Sequence, residues 1–441
     1  MKRKFLSFVA LALLLCMLVG AVGCNTANAD AKPTEAPTEQ PTSSPTDAPS
    51  TDVPSEKPTE ESTEAPTEEP TEEPTEEPTE KPTEAPTENP TEKPTENPTE
   101  KPTDEPDEPV ELEEMYYYFP ENAYLFKTYG RMQETADGLY CDPSASGLEF
   151  SGIMKGEVIL ELEVDRNTYF TVFVDGERID ERFLVEPTDT ALTLVDFGEE
   201  EAEHTVRVLK QTEPKRSLVT LKAVTLTGYL EEAPEDKLFY IEFIGDSITS
   251  GTGIFGNSST TSNVDKTYEY QDATSNYAFR TAEALNADFS LVSCSSIGIC
   301  SGWNSYIEKE YYPAASFFRD REAQYDFERI PDLVVINLGT NDYTKGCSEK
   351  LFKERAEELI YAVRDSYSPS VDIVWVYNMM NDGHQSWVLE LLEELGGESN
   401  GLYAIKMDKN NAGGTNHPNL DAHIAVAEKL TAFIEEKDLL F

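Results

Sequence analysis

Residues 111–441 predict an α/β protein in two parts: a β-sandwich of the jelly-roll kind over 111–235, then a mostly parallel sheet covered by helices over 236–441. Two patterns carry this. Short alternating strands with turn signals fill the first part, and no amphipathic helix interrupts them. After the junction Glu231-Glu232-Ala233-Pro234-Glu235, strands alternate with helical segments, which calls for a parallel sheet buried on both faces. A Pro-Thr-Glu repeat sets residues 30–110 apart as a linker with no means of forming a core.

The first 29 residues read as a targeting segment. Lys2, Arg3 and Lys4 precede an apolar run from Phe5 to Val22 that ends in small residues. Ala21-Val22-Gly23-Cys24 resembles a bacterial lipobox and would place a lipid on Cys24. Ala27-Asn28-Ala29 suits ordinary signal peptidase. Either route exports the protein, to be secreted or held at the cell surface by membrane attachment through Cys24. In the linker, the unit Pro-Thr-Glu-x recurs every four residues, as in Pro70-Thr71-Glu72-Glu73-Pro74. Frequent proline and like charges keep such a chain extended. At about 3.1 Å per residue it reaches up to roughly 250 Å, enough to space a catalyst from a cell surface.

The net charge is −50. Residues 31–110 hold 24 Asp and Glu against 5 Lys, so most of the excess lies in the folded parts. That excludes nucleic acid as a partner, because its binding rests on Lys and Arg at phosphates. It also disfavours polyanionic substrates and leaves neutral or ester-masked polymers. Of 6 cysteines, Cys16 leaves with the targeting segment. Cys141, Cys294, Cys300 and Cys347 allow three pairings or free thiols. There is no Cys-x-x-Cys and there are only 4 histidines, so neither a metal nor a cofactor is expected. The chain is expected to act as a monomer.

Within 111–235, Val158, Leu160, Leu162 and Val164 alternate with polar residues, and Tyr169 to Val174 runs into Asp175-Gly176, a two-residue hairpin signal. The stretch from Thr205 to Leu209 and that from Leu218 to Leu226 continue the series. The second part offers strands at 239–244, 289–292, 333–338, 372–377 and 402–406. Between them, Leu351, Phe352, Ala356, Leu359, Ile360 and Val363 mark one helix face behind an N-cap at Ser348. A last helix is expected from about 419 to 435, with Pro418 suited to its first position.

Chemistry-bearing residues sit at the ends of these elements. Gly245-Asp246-Ser247 follows the first strand of the parallel sheet, where open α/β sheets place their sites. Serine needs a general base in hydrogen-bond reach and donors for a developing oxyanion. Gly-Asp-Ser alone is more often a plain turn, but Gly339-Thr340-Asn341-Asp342 follows the third strand and brings the Asn341 amide to the same rim. Ser293-Cys294-Ser295-Ser296-Ile297-Gly298 follows the second strand and offers the Gly298 N–H. His417 precedes Pro418 at the mouth of the last helix, as the candidate base. His423, within that helix, is its rival, where packing or capping is the expected job. His384 and His204 lack comparable placement. Trp303, Tyr306 and Trp387 lie in loops or helix starts after strand ends and are aromatic candidates for substrate contact, with Asp342 as a further one.

Four blocks in order, Gly-Asp-Ser at 245–247, Gly298, Gly-x-Asn-Asp at 339–342 and His417, resemble the SGNH or GDSL hydrolases. With the β part, its segment from His204 to Glu213, and His-Pro-Asn at 417–419, the chain looks like carbohydrate esterase family two. The resemblance implies a jelly roll fused to a flavodoxin-like α/β/α hydrolase. It implies metal-free removal of acetyl groups from xylan and glucomannan by Ser247 and His417, with Ser247, Gly298 and Asn341 forming the oxyanion hole. One departure stands out: the positions where such enzymes carry a triad Asp, three or two before the histidine, are Gly414 and Thr415. A backbone carbonyl or Asp408 would have to orient the imidazole. Two other readings remain at this point, a tethered non-catalytic carbohydrate-binding protein and a lipolytic GDSL esterase.

Overall fold

β1 (Phe239–Gly245), β2 (Ala287–Ser293), β3 (Leu333–Asn337), β4 (Asp372–Tyr377) and β5 (Leu402–Lys406) build the sheet that carries the candidate site. They are nearly unbroken apolar runs, as strands covered on both faces must be. The structure is a computed structural model, which describes residues 111–260, 264–300 and 308–440. The targeting and linker segments, Cys24, Trp303 and Tyr306 lie outside the described residues.

Every pairing in this sheet is parallel, in the order β2-β1-β3-β4-β5. The direction of winding reverses between β1 and β3, so a crevice opens beyond their carboxyl ends. Gly245 lies between Ser293 and Asn337 in register, which brings the turns after three strands together there.

Helices cover both faces: α1 (Tyr277–Ala284), α2 (Thr340–Lys345), α3 (Glu349–Ser366), α4 (Gln385–Glu394) and α5 (Leu420–Glu436). Ser348 caps α3 by accepting from the Leu351 N–H. Phe352, Ala356, Leu359, Ile360 and Val363 form its buried face, whereas Leu351, expected on that face, is exposed. Pro418 does not open α5. Asn419 takes the cap, its side chain accepting from Ala422 N, and Pro418 stands one residue outside. One face of the sheet packs Ile241 and Phe243 against Tyr277, Leu430 and Ile434. The other packs Ile244 and Ile336 against Phe352, Leu359 and Trp375.

Within residues 114–230 every strand pairing is antiparallel. The 18-residue strand Gly147–Val164 ties them together. Toward its start it pairs with Ala202–Lys210 and Lys127–Tyr129, toward its end with Val219–Leu230 and Ala191–Asp196. Val158, Leu160, Leu162 and Val164 turn inward, as their alternation requires. Asp175 and Gly176 both take positive φ, 51° and 83°, in the tight hairpin between Val174 and Glu177.

The two parts share a core. Tyr129, Phe173 and Leu209 pack into the cluster that holds Phe279 and Phe289. Arg207 grips Glu283 with both guanidinium nitrogens, at 3.0 and 2.9 Å. Arg131 meets Glu242 at 3.0 Å, fully enclosed. Burial works against the Arg131 charge, and the Glu242 carboxylate more than offsets it. Cys300 and Cys347 form a disulfide, while Cys141 and Cys294 are buried free thiols.

Candidate active site

Ser247 sits in the turn that leaves β1. Gly245 makes the turn possible, because a Cβ there would stand 2.0 Å from Thr249 Oγ1. Asp246 closes the turn locally by accepting from the Ile248 N–H. Among the described residues, the backbone N–H groups of Ser247 and Gly298 have no protein partner.

His417 Nε2 lies 2.7 Å from Ser247 Oγ. Its Nδ1 lies 3.2 Å from the Thr415 carbonyl and 2.9 Å from Thr415 Oγ1. The Thr415 hydroxyl donates its own hydrogen to Gly414 O, so toward the imidazole it is an acceptor. Both Nδ1 contacts therefore call for a proton on Nδ1, which leaves the Nε2 lone pair facing the serine hydroxyl. Thr415 fills the place of the missing Asp with two neutral oxygens, while Asp408 is exposed. Thr415 and Asn416 reach this geometry at φ 52° and 61°. The loop rests on the serine side through Gly253, whose carbonyl accepts from Gly414 N. A Cβ on Gly253 would meet Gly414 O at 2.3 Å and the His417 Cβ at 3.0 Å. Burial lowers the His417 pKa, while the Thr415 and Gly414 carbonyls and the charge of Glu213 raise it; the net shift is downward.

Asn341 Nδ2 donates to Asp246 Oδ2 at 3.0 Å and to Ile297 O at 2.7 Å. The amide thus straps the serine turn to the Gly298 loop. Burial pushes the Asp246 carboxyl up to about 7; the Ile248 N–H opposes the rise, and Asp342 and Glu213 add to it. Asp342 is no substrate contact here. It is buried, and its two oxygens accept from Ile299 N and Cys300 N at 2.9 and 2.8 Å. Trp387 lies 3.8 Å from the His384 ring, stacked on it, and packs against the core on the α3 side of the sheet. His423 is fully buried and accepts the Tyr277 N–H at the start of α1. Burial pulls its pKa down to about 3, so it stays neutral and structural. His204 pairs with Asp175 far back in the β part.

The structure brings Ser247, His417, Gly298 and Asn341 together. Sequence reasoning missed Gly253 and Glu213, and offered a backbone carbonyl as the partner of the ring without assigning it to Thr415. For Gly253 the signal was present, in three glycines at 251, 253 and 256 just after the serine turn. Among the described residues, the one group with metal-like spacing is Cys300, Asp342 and Cys347, and two of its members form the disulfide. A hydroxyl facing an imidazole nitrogen, with unpaired N–H groups at the same rim, can attack a carbonyl and hold the oxyanion that results.

Residues 243–419 match the GDSL-like Lipase/Acylhydrolase family. The chain is 28% identical over 317 residues to the cellulase/esterase CelE of Acetivibrio thermocellus, covering 68% of this chain and 38% of that protein. It is 28% identical over 242 residues to the acetylxylan esterase / glucomannan deacetylase of Cellvibrio japonicus, covering 52% and 66%. It therefore spans less than two thirds of the length of either. A solved family two carbohydrate esterase from Clostridium thermocellum, in complex with cellohexaose, superposes with a TM-score of 0.63 at 27% identity, covering 72% of this chain and 100% of that one. The hydrolase part is thus similar to GDSL-like lipases/acylhydrolases, and the likeness extends over the β part to a solved family two carbohydrate esterase.

Proposed function

We propose that this protein is an exported carbohydrate esterase that removes O-acetyl groups from neutral plant cell-wall polysaccharides, xylan and glucomannan among them. The observation that carries the reading is the 2.7 Å contact of His417 Nε2 with Ser247 Oγ. His417 takes the hydroxyl proton as Oγ bonds to the acetyl carbonyl carbon. The oxyanion rests on the N–H groups of Ser247 and Gly298. Asn341 joins them when the acyl oxygen replaces Asp246 as acceptor for one of its hydrogens. The imidazolium then gives its proton to the departing sugar oxygen, and the bond from that oxygen to the acyl carbon breaks. Water, deprotonated by His417, attacks the acetyl-serine; the bond from the acyl carbon to Oγ breaks, acetate leaves, and the imidazolium returns its proton to Ser247 Oγ. The names of the relatives support the substrate class, and the acidic chain disfavours polyanions. The β part, read as a jelly roll over 111–235, and the 30–110 tether would hold the hydrolase of 236–441 on or near the cell surface, through Cys24 if it is lipidated.

Acetate release from acetylated xylan and acetylated glucomannan by the full chain tests this. Ser247→Ala should lower kcat on an aryl acetate by roughly 10³-fold or more, and His417→Ala likewise. Polysaccharide binding without acetate release would instead mark a binding protein, and a preference for long acyl chains a lipase.

A further inference from the structure

The segment from His204 to Glu213 belongs to the β part, and the reaction above gives it no task. It ends at the site. Glu213 is completely buried, and its Oε2 accepts the backbone N–H of Ser295, three residues before Gly298. Lys215 Nζ donates to the carbonyl of the same Ser295 at 2.9 Å. One residue of the Gly298 loop is thus held on both sides by the β part. The grip closes on itself. Glu213 N donates to Gln271 Oε1 at 3.3 Å, Gln271 Nε2 donates to Thr252 Oγ1 at 3.1 Å, and Thr252 Oγ1 meets Ser295 Oγ at 3.1 Å. Thr252 N in turn donates to Ser247 O at 2.9 Å. The ring links the β part, the serine turn and the oxyanion loop. On its outer side Glu213 Oε1 lies 3.0 Å from Arg216 Nε.

We propose that Glu213 is a positioning residue for the esterase reaction, supplied by the β part: with Lys215 it fixes the loop that presents the Gly298 N–H to the oxyanion. A preorganised donor acts only when it is already aimed at the place where charge develops. Ser296 takes φ 71°, so the chain turns sharply between the gripped residue and Gly298, and a shift at Ser295 is passed to the donor. The carboxylate has a second effect. Its charge raises the proton affinity of His417 against the pull of burial, a part of what a triad Asp supplies elsewhere.

The inference rests on the esterase reading, and the test separates the two. Glu213→Ala, Glu213→Gln and Lys215→Met are made in the full chain. Each is measured for kcat and KM on 4-nitrophenyl acetate, for the acid limb of kcat/KM, for thermal stability, and for amide exchange across residues 293–300. Glu213→Ala should lower kcat by about 10²-fold, the scale of losing one oxyanion donor, with KM within about threefold and faster exchange at Ser295. Glu213→Gln keeps an oxygen for the Ser295 N–H. It should recover to within about tenfold of the parent and move the acid limb to lower pH. Lys215→Met should cost several-fold in kcat. The proposal is overturned if Glu213→Ala keeps kcat within threefold, if exchange at Ser295 is unchanged, or if Glu213→Gln is no better than Ala while both lose stability equally. Should Glu213→Ala not fold, Glu213→Gln and Lys215→Met decide. A parent without esterase activity sinks the esterase reading alone, and amide exchange still reports whether Glu213 holds the loop.

Discussion

His417 and His423 lie six residues apart, and the fold gives them opposite work. His417 must be neutral to accept the Ser247 proton, and its pKa lies below the ordinary 6.5. Esterase kcat/KM is therefore expected to be full at neutral pH and to fall only as pH drops through that lowered value. An acid limb above 6.5 would contradict the assignment. His423 titrates near 3 when folded, so the unfolded chain takes up that proton first. Its contribution to stability is complete above about 6.5 and is lost as pH falls toward 3, at about 1.4 kcal/mol per pH unit. Asp246, raised to about 7, runs the other way: its contribution is complete below the ordinary carboxylate range and is lost as pH rises through 7. Urea unfolding between pH 4 and 6 should show a flatter pH slope for His423→Gln than for the parent, with kcat little changed. Ser247, Asn341 and His417 were legible because each abuts a strand or helix boundary that apolar patterning reveals. Thr415 was visible as a missing Asp, and its carbonyl only as an unassigned alternative to Asp408. That it turns its own carbonyl and hydroxyl to the ring depends on a left-handed backbone that no spacing rule foretells.

The loop after β2 is the element on which the site depends. It is held at Ser295 by the β part, at Ile297 by Asn341, and at Ile299 and Cys300 by Asp342. The disulfide then ties Cys300 to Cys347, just past α2, so the segments bearing Gly298 and Asn341 are also joined covalently. Closing a 47-residue separation is worth about 4 kcal/mol by chain entropy. Cys300→Ser combined with Cys347→Ser should lower the melting temperature and cut kcat about tenfold with little change in KM. Unchanged kcat would mean that Asp342 alone suffices. Four cysteines allowed three pairings, and sequence held no means of choosing, because the choice follows from where α2 ends against the loop. The strands of the sheet were legible to within a residue or two. Pro418 was misplaced because Asn419 is the better cap, and Asp342 because its neighbour Asn341 faces the serine turn while it faces the loop.

At the scale of the whole described molecule, the two parts are welded rather than tethered. The Arg131–Glu242 pair crosses between them with both side chains out of water, and the hydroxyls of Tyr312 and Tyr367 complete the Glu242 shell at 3.2 and 3.0 Å. Arg131→Met would strand that carboxylate, at a cost of about 3–5 kcal/mol. Thermal or urea unfolding of the full chain should show a loss of that size in one transition covering both parts. Two separate transitions would mean that the shared core does not couple them. The switch from consecutive strands to strand-helix alternation separated the β part from the α/β part, yet gave no sign that Tyr129, Phe173 and Leu209 leave the first to complete the second. Each reads as an ordinary inward strand residue until the partner surface is present.

The left-handed pair Thr415-Asn416 bends the chain back on itself, so the His417 ring finds its acceptor within its own peptide. The ring then carries its alignment inside five consecutive residues, 413–417, and the loop rests on Gly253 and Gly256, where a Cβ would strike Gly414. Drift elsewhere in the scaffold, the Glu213 ring apart, leaves such a self-supported imidazole facing its serine.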